Sequence, residues 1–254
     1  MIDELVEQLP MATPLFVLAA GFVIGLLHAF EPDHVAAVST QVARNKTEQA
    51  STIKARLGTN TLRSSILGAL WGAGHTSTLV LVGVLVFLFS LEISEEIFSG
   101  LEFVVGVMLV FLGASAYITK RMLTDKHVHP HTHSDGTIHT HPHTHSDKHK
   151  HGHRSYLIGC IHGLAGSGSL VVLVASTFSD MQTILSFILV FGVGSILGMM
   201  LVSGVIALPF AVSTHAGRIS RVLRYTVSAV SIGVGAHIMF EVASTTGIFG
   251  LHIL

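Results

Sequence analysis

Two imidazoles and two carboxylates stand within seven residues of an otherwise apolar run, His28-Ala-Phe-Glu31-Pro32-Asp33-His34. Apolar residues lead in from Pro14 to Leu27 and resume over Val35–Val38. Ionisable groups at such depth in a membrane helix are costly and mark function by default. Imidazole suits a borderline divalent ion, and a carboxylate offsets part of its charge. Pro32 has no N–H, so the carbonyl of His28 loses its helical partner. On an unbroken helix His28 and His34 would lie about 240° apart, at about 100° per residue. A break at Pro32 lets His28, Asp33 and His34 turn toward one point, and broken helices converge on ions in secondary transporters. The alternative is a kinked helix whose second half Asp33 caps. It accounts for Pro32 and Asp33 but leaves two buried histidines unexplained.

A second motif follows at Gly72-Ala-Gly74-His75-Thr76-Ser77-Thr78. His75 is either one more ligand or a hydrogen-bonded packing histidine; its depth, similar to that of the first motif, favours ligation. The glycines admit a close neighbour. The three hydroxyls bond helix carbonyls or hold the second nitrogen of a ligating histidine. His162 either completes this site or is a packed counterpart of His28, and Glu31 is a further candidate ligand. His237 reads as a core hydrogen-bonder, Met199 and Met200 as packing, and His215 as a loop residue.

Residues 127–153 hold 11 of the chain's 18 histidines: His127, His129, His131, His133, His139, His141, His143, His145, His149, His151 and His153. This low-complexity stretch cannot bury a core. It reads as a metal buffer, antenna or sensor rather than as the permeation site, with a solvated linker as the alternative.

The elements that position these groups are membrane helices. Half of the 254 residues are hydrophobic and 11% are charged, with a mean hydropathy of +0.66. Such a chain is polytopic in a lipid bilayer. The net charge of −1 gives no footing for nucleic acid. Acidic residues, and no basic ones, precede the first apolar run, which argues against a cleaved signal peptide. The single cysteine, Cys160, excludes an intrachain disulfide and a multi-thiolate metal site.

Six spans are expected, at about 12–42, 65–90, 98–118, 155–177, 183–209 and 225–247. All 14 Lys and Arg fall between spans one and two, three and four, or five and six. By the positive-inside rule both termini are outside and the histidine-rich loop is cytoplasmic. Gly25-Leu-Leu-His28 has an echo in Gly159-Cys-Ile-His162. Trp71-Gly-Ala-Gly-His75 has one in Phe191-Gly-Val-Gly-Ser195, and Leu112-Gly-Ala-Ser115 in Val234-Gly-Ala-His237. Three echoes in one order suggest two inverted three-helix units, the alternative being chance similarity of small-residue packing motifs. The expected division is 1–118 for the first unit, 119–154 for the loop and 155–254 for the second.

His28-Ala-Phe-Glu-Pro-Asp33-His34 resembles the signature of nickel/cobalt transporters, and Gly74-His75-Thr76-Ser77 resembles their second signature. The nearest likeness is to the six-span branch with urease-accessory-type nickel permeases and nickel/cobalt efflux proteins. It extends more weakly through Gly192-Val-Gly-Ser195-Ile-Leu-Gly198-Met199. The resemblance implies ion binding at His28, Asp33, His34 and His75. Eight-span members carry acidic signatures in their second half, whereas this chain has Gly166-Ser-Gly168-Ser169 and Ser195 there.

The expectation is therefore an all-α membrane protein and no enzyme. It moves Ni²⁺, with Co²⁺ as a second substrate, and has no resident cofactor. Uptake is preferred over efflux, and a membrane-bound metal sensor or metallochaperone is the rival of another class. The expected partners are a divalent transition-metal ion, the bilayer of the cell membrane, and cytosolic nickel chaperones or nickel-enzyme accessory proteins. An intramembrane protease would want H-E-x-x-H, which is absent from the chain.

Overall fold

The computed structural model describes residues 14–44, 52–89, 94–122, 128–132, 138–142, 151–166, 180–213 and 217–246. In the first expected span, α1 (Pro14–His28) and α2 (Pro32–Arg44) are separated by a three-residue break and bent by 54°. Then come α3 (Ile53–Phe89), α4 (Glu95–Met122), α5 (His151–Gly166), α6 (Met181–Val212) and α7 (Gly217–Thr245). Among the described residues, α3, α4, α6 and α7 are long and apolar enough to cross a membrane, and the bent α1–α2 pair makes a fifth crossing if counted as one span. The second part of the span expected at 155–177 lies outside the described residues, as do both termini. Leu15, Phe111, Leu88 and Val205 are among many large apolar side chains left exposed, as helices facing lipid require.

Two differences from the sequence reading have local causes. Helix α3 starts at Ile53, well before the expected residue 65, so that Lys54, Arg56 and Arg63 are helical and not in a loop. Arg56, Asn60, Ser64 and Gly68 recur at four-residue spacing, and all are buried along one face. The Asn60 amide donates to the Arg56 carbonyl at 2.9 Å. In the histidine-rich stretch, β1 (Val128–Thr132) pairs antiparallel with β2 (Ile138–Pro142), with His129 opposite His141 and His131 opposite His139. Both strands are edges, which is where proline such as Pro130 is tolerated. His127, His133, His143, His145 and His149 lie outside the described residues.

Helix α3 packs along α6; α1 packs on α6, α5 on α3, and α4 on α7. Close backbone contacts recur at matching places in the two halves of the chain. A Cβ at Gly25 would collide with the carbonyl of Phe191, and one at Gly159 with the carbonyl of Trp71. Likewise Gly194 meets the carbonyl of Phe22, and Gly74 that of Tyr156. Small residues that let helix backbones touch are how membrane helices associate without a hydrophobic drive between them. At the start of α6, the Asp180 carboxylate caps the helix by accepting from the Thr183 N–H at 2.8 Å.

Candidate metal centre

The break that builds the centre is a tight turn. The Phe30 N–H donates to the Leu27 carbonyl at 2.9 Å and the Glu31 N–H to that of His28 at 3.1 Å, so the carbonyl orphaned by Pro32 finds a nearer donor. The Val35 N–H then donates to Glu31 at 2.9 Å and starts α2, with Pro32 at the first helical position, where its missing N–H is harmless. Glu31, not Asp33, thus occupies the cap position. Asp33 sits in the first turn and is free to face inward.

Four imidazoles gather there. The ring centroids of His28 and His34 are 4.2 Å apart, those of His34 and His162 4.2 Å, and His75 lies 5.3 Å from both His28 and His34. His34, His75 and His162 are fully buried and His28 nearly so. One nitrogen each from His28, His34 and His75 lie within 4.8 Å of one another, as do ligand atoms of Asp33, His34 and His162. Nitrogens bound tetrahedrally to one first-row metal at about 2.1 Å are about 3.4 Å apart, so a set must contract to hold an ion.

Asp33 ties the set together. Its Oδ1 accepts from the His34 backbone N–H at 2.8 Å and lies 2.8 Å from His34 Nδ1, and its Oδ2 lies 3.1 Å from His162 Nε2. A carboxylate only accepts, so each facing nitrogen carries the proton and the opposite one keeps its lone pair. Those opposite atoms, His34 Nε2 and His162 Nδ1, are buried and lack a hydrogen-bond partner among the described residues. A buried lone pair without a partner is costly, and a metal ion satisfies it. Glu31 is half exposed at the rim, with Oε1 2.9 Å from His28 Nδ1 and Oε2 3.9 Å from His34 Nδ1.

Sequence reasoning missed the walls. Trp71 is fully buried, its ring 5.4 Å from that of His34 and 5.2 Å from that of His162. Phe191 stands 5.4 Å from His28. The available signal was Trp71 lying four residues before His75, on the same helix face. The hydroxyls after His75 go to carbonyls: Thr76 to Gly192 at 3.3 Å, Ser77 to Ala73 at 2.7 Å and Thr78 to Gly74 at 3.2 Å. Met199 packs in the core as expected. His237 is no core hydrogen-bonder. Its side chain is 75% exposed and lies 3.8 Å from Glu241, because α7 turns that face away from α4. His153 is exposed at the start of α5, away from the cluster.

A helical membrane protein with a buried imidazole–carboxylate cluster at a broken helix is the class that fold and site define. No family model and no solved structure matches the chain. Over 239 residues, 94% of the chain and 97% of the relative, it is 39% identical to the urease accessory protein UreH of Bacillus sp. (strain TB-90). The chain belongs to that family, the urease-accessory branch of the nickel/cobalt transporters, a family of accessory proteins and not of enzymes. It is also 27% identical over 227 residues to the chloroplast protein FOR GROWTH AND FERTILITY 1 of Arabidopsis thaliana, covering 87% of the chain and 58% of that protein. The figures for FOR GROWTH AND FERTILITY 2 of the same plant are 26% over 223 residues, 86% and 55%.

Proposed function

We propose that the protein is a secondary transporter that carries Ni²⁺, with Co²⁺ as a second substrate, across the cell membrane. One observation carries this reading: four buried imidazoles and Asp33 converge where the first span breaks. His28, His34 and His75 take the ion, His162 contributes from the second half, and Asp33 balances charge and holds two imidazoles in their ligating tautomers. Glu31 serves as the rim ligand.

The matching contacts Gly25–Phe191 and Gly159–Trp71 support the two-unit reading, with residues 1–118 and 155–254 as inverted three-helix units of a six-span protein. Rocking of one unit against the other then exposes the cluster to alternate sides. The distribution of basic residues supports a cytoplasmic face for residues 119–154 and outer termini. Uptake is the preferred direction, with the histidine-rich loop buffering arrivals for cytosolic nickel chaperones or nickel-enzyme accessory proteins. The similarity to a protein named as a urease accessory protein supports that partnership.

Radiotracer nickel content of expressing cells tests the reading against matched controls. Uptake raises it, and His28→Ala or Asp33→Ala lowers the gain by about 100-fold with folded protein still in the membrane. Wild-type accumulation in both variants would sink the site assignment, and lower content than in controls would reverse the direction to efflux.

A further inference from the structure

Along α2, one to two turns beyond His34, lies a pocket with room for about one water molecule. Val38 and Gln41 of α2, Ser64, Gly68 and Trp71 of α3, and Ser203 of α6 line it. Trp71 is also a wall of the histidine cluster, so cluster and pocket share a side chain.

The hydrogen bonds around Gln41 fix its chemistry. Ser155 Oγ lies 2.7 Å from the Gln41 atom assigned as Oε1 and 2.8 Å from the carbonyl oxygen of Leu67. A hydroxyl has one proton, and a carbonyl can only accept it. The proton therefore goes to Leu67, and the Ser155 oxygen accepts from the Gln41 amide. Amide oxygen and nitrogen are assigned from the network, so the contacting atom is the nitrogen. The other terminal atom, buried and without a partner among the described residues, is then the oxygen. Trp71 Nε1, a donor, is likewise buried and without a partner there. A water molecule answers both, accepting from Trp71 and donating to Gln41.

We propose that this pocket is a hydration station on the transport route. An ion passing between the histidine cluster and the α2 side exchanges an imidazole for a water held by Gln41 and Trp71. A dication cannot shed or regain its shell in one step without a prohibitive desolvation cost, and ordered polar groups divide that cost. The proposal rests on the transport reading above.

The test uses purified full-length protein, with Ni²⁺ as the probe for equilibrium binding and for flux into proteoliposomes. Gln41→Leu should lower the maximal rate by about tenfold or more, with the binding constant within about twofold of wild type. Gln41→Asn keeps an amide donor for Ser155 and an acceptor for the water, and should retain more of the rate than Gln41→Leu. Equal rates for wild type and Gln41→Leu overturn the station. So does parallel loss of binding and rate, which would make Gln41 a prop of the cluster or fold. Should Gln41→Leu yield no folded protein, Ser64→Ala is read by the same criteria. Wild-type protein that neither binds nor moves Ni²⁺ overturns the transport reading and the station with it, an outcome distinct from failure of the variant alone.

Discussion

On the α1 side of the histidine cluster, Val17, Ala20 and Ile24 meet Leu79 and the α6 residues Ile184, Phe187, Ile188 and Phe191 in one apolar layer. On the α2 side the apolar core is interleaved with buried Asn60, Ser64, Ser155 and Ser203 and with Gln41. Helices α3 and α6 run through both sides, while α1 carries the first and α2 the second. Among the described residues, the polar side chains of the second side can solvate an ion that keeps some water, and the apolar cluster of the first offers it no such partner. On the transport reading, this layer is a seal that refuses a hydrated cation partners, and passage between these residues requires it to part.

The contrast is most sharply tested by placing a charge in the seal. Phe187→Asp buries an unpaired carboxylate and should cost about 3–5 kcal/mol, enough to prevent accumulation of folded protein in the membrane. Gln41→Asn on the other side, where a polar side chain is native, should accumulate normally; equal loss in both would erase the distinction. A smaller effect is expected from Gly25→Ala, which drives a methyl into the carbonyl of Phe191 at the seal, and from Gly159→Ala, which does so at Trp71. Each should destabilise by about 1–3 kcal/mol, read as a lowered Tm in detergent. A neutral result at one position alone would mean that the two contacts are not structural counterparts. The smallest effect is expected at the entrance to α6. The N–H and hydroxyl of Thr183 hold the Asp180 carboxyl below its ordinary value of 3.8. A lowered value stabilises the fold above that pH, and the gain fades as pH falls through the folded value. Asp180→Ala should therefore lower Tm slightly at neutral pH and not at all in strong acid.

The break and the residues it brings together were legible in the sequence because their chemistry is local. A proline between two histidines in an apolar run dictates both the turn and what the turn must gather. His162 was reachable only through the echo of His28, since nothing in its own surroundings marks it. The expected second span begins only at residue 65 because Lys54, Arg56 and Arg63 keep the preceding stretch too polar to cross lipid, yet α3 starts at Ile53. Their four-residue companions Asn60, Ser64 and Gly68 carried the helical signal. Trp71, Phe191 and Gln41 could not be placed, because each matters through a neighbour on another helix. His237 went astray for the same reason: which face of α7 meets α4 is a property of the pair, not of either sequence.

Asp33 touches a histidine of each half of the chain with a different oxygen, and so is a clasp between them. On the transport reading, any motion that parts the two halves must first give Asp33 and His162 other partners.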